Sequence, residues 1–248
     1  MSPAPLITDL QTHDFAAGGL LLVDKPKGYT SFDVVNKTRY RLRKITGVKR
    51  IKVGHSGTLD PMATGLLLIA TGKGTKSLTA LTGLPKAYTG TITFGATTAS
   101  YDAETEREGD YPTAHLTREH LEATIAEHLT GDIEQLPPIY SAIKVDGKRA
   151  YRAARAGQDI KLEPRRVRVD EFRLTRVELP EADFSVDVSK GTYVRSLAHD
   201  LGQLAGSGAY LSALRRTRVG AYRIEDAAPL DAIAEALDRR LQRGPLAG

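Results

Sequence analysis

Apolar residues in this chain come in short blocks, and that fact limits its architecture most. The longest blocks are Leu20–Val23 and Leu66–Ala70, far too short to cross a membrane as a helix. Runs of four or five apolar residues suit buried strands. Elsewhere the apolar positions follow other periods. Ala87–Phe94 is β-type, with Tyr88, Ile92 and Phe94, and Val167–Leu174 and Phe184–Val188 also read as strands. Helical spacing governs three further segments. Thr30 or Ser31 can cap a helix with Phe32, Val35 and Leu42 on one face. Thr117 can cap another with Leu121, Ile125 and Leu129, stopped by Gly131. Thr192–Leu204 would turn Val194, Leu197, Leu201 and Leu204 inward. A short helix is expected around Thr75–Leu81, another at Tyr151–Ala156 and a last one at Ala232–Leu241. Asp146-Gly147, between Val145 and Lys148, suits a two-residue hairpin turn. Strands and helices mix without a regular βαβ repeat, so the expected class is α+β. Residues 1–18, with Pro3 and Pro5, read as a loose leader.

Composition excludes several chemistries. The chain has no Cys, which removes disulfide frameworks, thiolate zinc sites and Cys nucleophiles. With 41% hydrophobic and 26% charged residues it has enough apolar material to fold. The start shows no charged-then-apolar signal pattern, so a cytoplasmic setting is expected. The six histidines do not reach metal-ligand spacing. Gly72-Lys73-Gly74-Thr75-Lys76 misses the phosphate-loop spacing, and Gly54-His55-Ser56-Gly57 is not a nucleophile elbow.

The net charge of +5 gains meaning from its distribution. No acid occurs between Asp33 and Asp60, while Lys37, Arg39, Arg41, Arg43, Lys44, Lys49, Arg50 and Lys52 fall in that gap. Residues 144–168 form a second basic stretch, and Arg215, Arg216 and Arg218 a third. Separated basic tracts that converge in a fold can follow a phosphate backbone. Asp60 closes the first tract, between glycine turns and before Pro61. Aspartate before proline is a common turn residue. A lone carboxylate in positive surroundings also stays ionised, and it can act as a nucleophile or base toward a sugar carbon or an electrophilic ring.

The blocks GLLLVDKPKG (19–28), GHSGTLDPMATGLLLIATGKGTK (54–76), Lys86-Ala87-Tyr88, QLPPIYSAIKVDGKRAYRAARAG (135–157), SKGTYVRSLAHDLG (189–202) and AYLSALRRTRVG (209–220) resemble the TruB family, bacterial tRNA pseudouridine-55 synthases. They occur in the family's order. The resemblance implies a pseudouridine synthase fold: a mixed, largely antiparallel sheet with flanking helices and a central RNA-binding cleft. It implies a catalytic domain over 19–225 with a thumb-like insertion about 135–165, then a short C-terminal helix and tail over 226–248. The family's usual C-terminal RNA-binding domain would be absent or reduced. The activity implied is an isomerisation of one tRNA T-loop uridine, by base flipping, with no metal and no organic cofactor. The implied partner is the T arm of tRNA, with no membrane and no protein partner.

Roles carry over by position. Asp60 matches the catalytic aspartate. Tyr88 would stack on the extruded base, and Arg195 would pair with Asp60. His55 would fill the space that the base leaves, and Tyr193 and Leu214 would line the pocket. Asp102 would be networked with the pocket's Tyr and Arg. In place of the family's Thr-Asp-Thr-x-Asp, this chain has Thr98-Ala99-Ser100-Tyr101-Asp102, keeping only the last aspartate. An aspartate could attack ribose C1′, deprotonate C2′ or add to C6 of the base, and the sequence leaves these three open. Competing readings are a non-enzymatic RNA-folding module, suggested by the basic tracts, and a base-modifying enzyme of another class. Among the latter, a zinc deaminase is disfavoured by the missing cysteines.

Overall fold

The computed structural model describes residues 4–140, 144–145, 148–149 and 162–243. It is a mixed structure of largely antiparallel sheet and flanking helices. The chain divides into two compact units, Met1–Lys86 with Arg215–Gly248, and Ala87–Leu214. Among the described residues no helix is long and apolar enough to cross a membrane.

The first unit begins with β1 (Gly19–Lys25), α1 (Ser31–Thr46), β2 (Val53–Ser56), β3 (Thr64–Thr71) and α2 (Leu78–Thr82). β1 lies antiparallel to β3 over their full lengths, from Gly19 opposite Thr71 to Lys25 opposite Gly65. β2 adds antiparallel to β3, with Val53 opposite Thr71. Nearly every residue of β3 is buried. The unbroken apolar run reflects a strand covered on both faces. Thr30 caps α1 in a capping box with Asp33, which satisfies two helix-end donors at once. The buried face of α1 is Ser31, Val34, Val35, Thr38 and Leu42. Phe32 was expected there but is 60% exposed. At about 100° per residue it lies roughly a quarter turn off that stripe.

The chain then enters the second unit near the start of β4 (Lys86–Phe94). It continues through β5 (Thr97–Thr98), β6 (Arg107–Glu108), α3 (Arg118–His128), β7 (Gly131–Gln135), β8 (Lys144–Val145), β9 (Lys148–Arg149), β10 (Arg165–Glu178), β11 (Glu181–Val188), α4 (Val194–Leu204) and β12 (Ala209–Val219). Its sheet runs in the order β12, β4, β11, β10, β7. Thr117 caps α3 as expected. Ala182, Phe184, Val186 and Val188 alternate inward along β11. On β10 the buried set changes parity, from Val167 and Val169 to Phe172 and Leu174, because the register shifts between Val169 and Glu171; the extra residue of a bulge moves the inward face by one. In α4, Leu204 is 47% exposed rather than inward. It is the last residue of the helix, and the buried apolar position is taken by the C-cap, Ala205. β8 and β9 pair with Val145 opposite Lys148, the register of a two-residue hairpin. Asp146 and Gly147, the helix expected at Tyr151–Ala156 and most of the expected thumb lie outside the described residues.

The chain returns to the first unit within β12 and closes it with β13 (Tyr222–Arg223), β14 (Ala228–Pro229) and α5 (Leu230–Gln242). Arg215 and Arg216 of β12 pair in parallel with Thr64 and Gly65 of β3. Leu20, Leu66, Leu68, Ala70, Leu81 and Val219 form the core. Lys37 and Arg41 of α1 pair with Asp231 and Asp238 of α5 at 2.6 and 2.8 Å. The leader is packed rather than loose. Phe15 is fully buried, Ile7 donates to the Leu20 carbonyl, and Arg240 of α5 donates to the carbonyls of Leu10 and His13.

Candidate active site

Asp60 lies in the loop between β2 and β3, in the first unit, and is half-buried. Backbone clamps hold the loop on both sides of it. The Ser31 hydroxyl, one residue into α1, donates to the Leu59 carbonyl at 3.1 Å and accepts from the Leu59 amide at 2.8 Å. The Gly28 amide donates to the Pro61 carbonyl at 2.8 Å, and the Ala63 amide to the Asp60 carbonyl at 3.1 Å. The DKPKG turn and the start of α1 thereby fix the aspartate's backbone before any substrate arrives. Such preorganisation is what a reacting carboxylate needs.

A third clamp comes from a residue the sequence placed in a surface tract. Arg216 is 1% exposed. Its Nε donates to the Leu66 carbonyl at 2.7 Å and its Nη2 to the Gly57 carbonyl at 3.1 Å. Gly57 has φ +82° and opens the Asp60 loop. A Cβ there would come within 3.4 Å of Lys86 Cε and 3.5 Å of Arg216 Nη1, so the turn lies directly over two cationic side chains. Arg215, its neighbour, holds Asp24 through two hydrogen bonds of 3.0 and 2.7 Å. Arg215 and Arg216 are therefore engaged by the protein itself, and Arg218 donates to the Gly220 carbonyl. Lys25 is likewise fully buried, donating to the carbonyls of Pro26 and Tyr29, in keeping with a structural role.

Lys86 is buried and donates to the carbonyls of Thr82 and Leu84. Burial and then the Arg216 charge push its ammonium down to about 8. Its ordinary value is 10.5, so between those pH values the unfolded chain binds the extra proton. Stability from this group rises with pH through that window and is lost as pH falls through about 8, a span of roughly 3 kcal/mol. Urea unfolding at pH 7.5 and 10 is expected to show this increment, and Lys86→Met is expected to remove it. Parallel pH profiles for the two proteins would refute the burial argument.

His55 is on β2, opposite Ile69 of β3. Burial, then the Arg216 cation, lowers its pKa, so at neutral pH it is an uncharged ring. Its Nδ1 is buried with no hydrogen-bond partner among the described residues.

The remaining candidates belong to the second unit. Arg195, near the start of α4, is 5% exposed. Its Nη1 donates to the Ser100 carbonyl at 3.0 Å and lies 3.4 Å from Asp102 Oδ2, and its Nη2 donates to the Tyr140 carbonyl at 3.0 Å. Asp102 is fully buried and accepts from the Ser100 hydroxyl at 2.5 Å and the Glu104 amide at 2.9 Å. Tyr193 precedes α4, and the buried Gln135 side chain binds both its amide and its carbonyl, at 2.7 and 3.0 Å. Its ring lies 5.4 Å from the Arg165 guanidinium. Tyr88 is buried on β4, and Leu214 is half-buried on the adjacent β12. Among the described residues no cluster of three His, Cys, Asp or Glu could hold a metal ion.

A family model for the N-terminal domain of TruB family pseudouridylate synthases matches residues 43–194. The chain belongs to the TruB family. A second model, for the tRNA pseudouridylate synthase B C-terminal domain, matches residues 195–243 of this TruB-family chain. It is 49% identical over 225 residues to tRNA pseudouridine synthase B of Flavobacterium johnsoniae, covering 90% of this chain and 98% of that protein. Against the protein of the same name from Phocaeicola vulgatus it is 48% identical, covering 92% and 96%. Among solved structures, a chain in a Cbf5-Nop10-Gar1 complex superposes with a TM-score of 0.66 at 28% identity. That match covers 94% of this chain, which spans 60% of the matched chain's length.

Proposed function

We propose that this TruB-family enzyme isomerises the T-loop uridine at tRNA position 55 to pseudouridine, with Asp60 as the catalytic carboxylate. It is a tRNA pseudouridine synthase. The observation that carries the assignment to Asp60 is its loop, whose backbone is held on both sides by Ser31, Gly28 and Arg216, so the residue is fixed in place before substrate arrives. In the reaction the N1–C1′ bond breaks and the uracil turns. A C5–C1′ bond then forms, and the C5 proton is lost as N1 gains one. Extruding the base costs a few kcal/mol, and stacking on Tyr88 returns about 1–3 kcal/mol. In this reading the neutral His55 ring takes the vacated place in the RNA stack. Leu214 and Tyr193 wall the pocket, Asp102 holds Arg195, and Arg195 supplies the positive charge that a catalytic carboxylate needs nearby.

The test is incubation with an unmodified tRNA and with a T-arm hairpin, followed by a carbodiimide readout selective for pseudouridine. One modified position and an unchanged RNA mass are expected. A mass change, or no reaction on either RNA, would overturn the reading.

A basic cleft in the first unit supports an RNA substrate. It has a volume of ≈ 510 Å³ and is lined by Arg39, Arg43, Lys49, Arg50 and Lys52, with no acid. Arg43, Lys49, Arg50 and Lys52 are exposed, and among the described residues none forms a salt bridge. β2 runs from this cleft to His55 and the Gly57 turn. Neutralising these four side chains is expected to lower the slope of log affinity against log salt by about 3. An unchanged slope in filter binding would remove the cleft from the interface.

A further inference from the structure

Tyr101 is the one described non-glycine residue with positive φ, at +62°, a conformation that crowds Cβ against the backbone. It stands between the two groups that receive Arg195, the Ser100 carbonyl and the Asp102 carboxylate. Its ring stacks on His199, with centroids 3.8 Å apart and planes 9° from parallel. His199 lies one helical turn beyond Arg195 on α4, and residues four apart share a face. One face of α4 therefore meets three consecutive residues. Arg195 takes the carbonyl of Ser100 and the side chain of Asp102, and His199 takes the ring of Tyr101 between them. The left-handed backbone at Tyr101 makes this possible, since it turns the ring away from the groups flanking it.

Side chains and backbone also anchor the segment: the Asp102 carboxylate accepts from the Ser100 hydroxyl and the Glu104 amide, and the Ser100 hydroxyl lies 2.9 Å from that of Thr105. The Tyr101 amide donates to the Thr98 carbonyl, and the Leu211 amide donates to the Tyr101 carbonyl. His199 Nδ1 is buried and makes no hydrogen bond among the described residues. Burial lowers the imidazole pKa, while burial and the Asp200 carboxylate raise that of the Tyr101 hydroxyl. Both rings are therefore uncharged at neutral pH.

We propose that Tyr101 and His199 are positioning residues, their stack holding the strained turn that aims Arg195. This rests on the role given to Arg195 above. Tyr101→Gly accepts the positive φ without strain but lacks the ring, so it keeps the fold and isolates the stack. His199→Ala removes the other ring, and His199→Phe restores a flat one. On unmodified tRNA, kcat is expected to fall about tenfold or more in Y101G and H199A, the scale of a displaced reacting group. KM should stay within about twofold of wild type, and kcat should recover in H199F. In NMR spectra the Arg195 Nε–H signal should shift in Y101G and H199A and return in H199F. An unmoved signal with kcat near wild type in the two ring deletions would overturn the proposal, and so would an H199F enzyme as slow as H199A. The underlying reading fails differently. Full activity of Arg195→Met would remove the role of Arg195, while the NMR signal of the stack variants would still report on the aiming itself.

Discussion

Asp60→Asn is expected to abolish pseudouridine formation, by at least about a thousandfold, the scale on which removing a reacting side chain acts. The argument rests on what the substitution leaves untouched. The carboxamide has nearly the shape of the carboxylate, and the clamps on the flanking loop engage its backbone. Ser31 holds both polar groups of Leu59, Gly28 holds the Pro61 carbonyl, and Ala63 holds that of Asp60. The loop should therefore keep its course. What disappears is the negative charge, which each of the three routes open to an aspartate requires. Affinity for tRNA should stay within about threefold, because phosphate contacts supply most of the binding energy. Single-turnover kinetics and filter binding on one preparation check both halves. A variant with a tenth of the wild-type rate would show that another group carries the chemistry. Equal losses of rate and affinity would show that the loop had moved instead.

The sequence exposed some parts of this protein better than others, for physical reasons. β1 and β3 were legible because a strand buried on both faces needs no polar alternation. α3 was legible because cap and period agree at Thr117, Leu121 and Ile125. β12 was not. It buries Ala209, Tyr210 and Leu211, then Arg216 and Val219, and the charged residues among them hide the period. An arginine reads as surface until its carbonyl partners, distant in sequence, are known. The basic tracts misled in the same way. Lys37, Arg41 and Arg215 are satisfied by Asp231, Asp238 and Asp24, leaving a smaller set around the cleft to meet RNA. The leader looked loose because its anchors, Leu20 and Arg240, lie elsewhere in the chain. For the proposed site, the matching blocks pointed to Asp60 and Arg195 from residue identities alone. They could not reveal that Arg216 braces the loop, nor that Tyr101 adopts a left-handed turn, since both depend on which carbonyls and rings tertiary packing brings within reach.

Arg216→Met should be the most damaging substitution outside the reacting groups. Its guanidinium ties the Leu66 carbonyl of β3 to the Gly57 carbonyl of the Asp60 loop. Removing it leaves two acceptors without their charged donor, each loss worth about 1–3 kcal/mol, so destabilisation of about 3 kcal/mol or more is expected in urea unfolding. Its backbone leaves little room to adjust, because a Cβ at Gly65 would lie 2.3 Å from the Arg216 carbonyl oxygen. Lysine cannot substitute, since one ammonium does not reproduce the fork that reaches two carbonyls. Arg216→Lys should fold but lose kcat, by up to about a hundredfold as the turn below Asp60 loosens. Arg215→Met is the control. It removes the same charge one residue away, from a partly exposed pair with Asp24, and should cost no more than about 1 kcal/mol. The Arg216 cation also helps to hold down the pKa of His55, so Arg216→Met should let that histidine titrate at higher pH, as NMR can follow. Unfolding midpoints that match for the Arg215 and Arg216 variants, with an unmoved His55 titration, would mean that the buried arginine does not brace the loop.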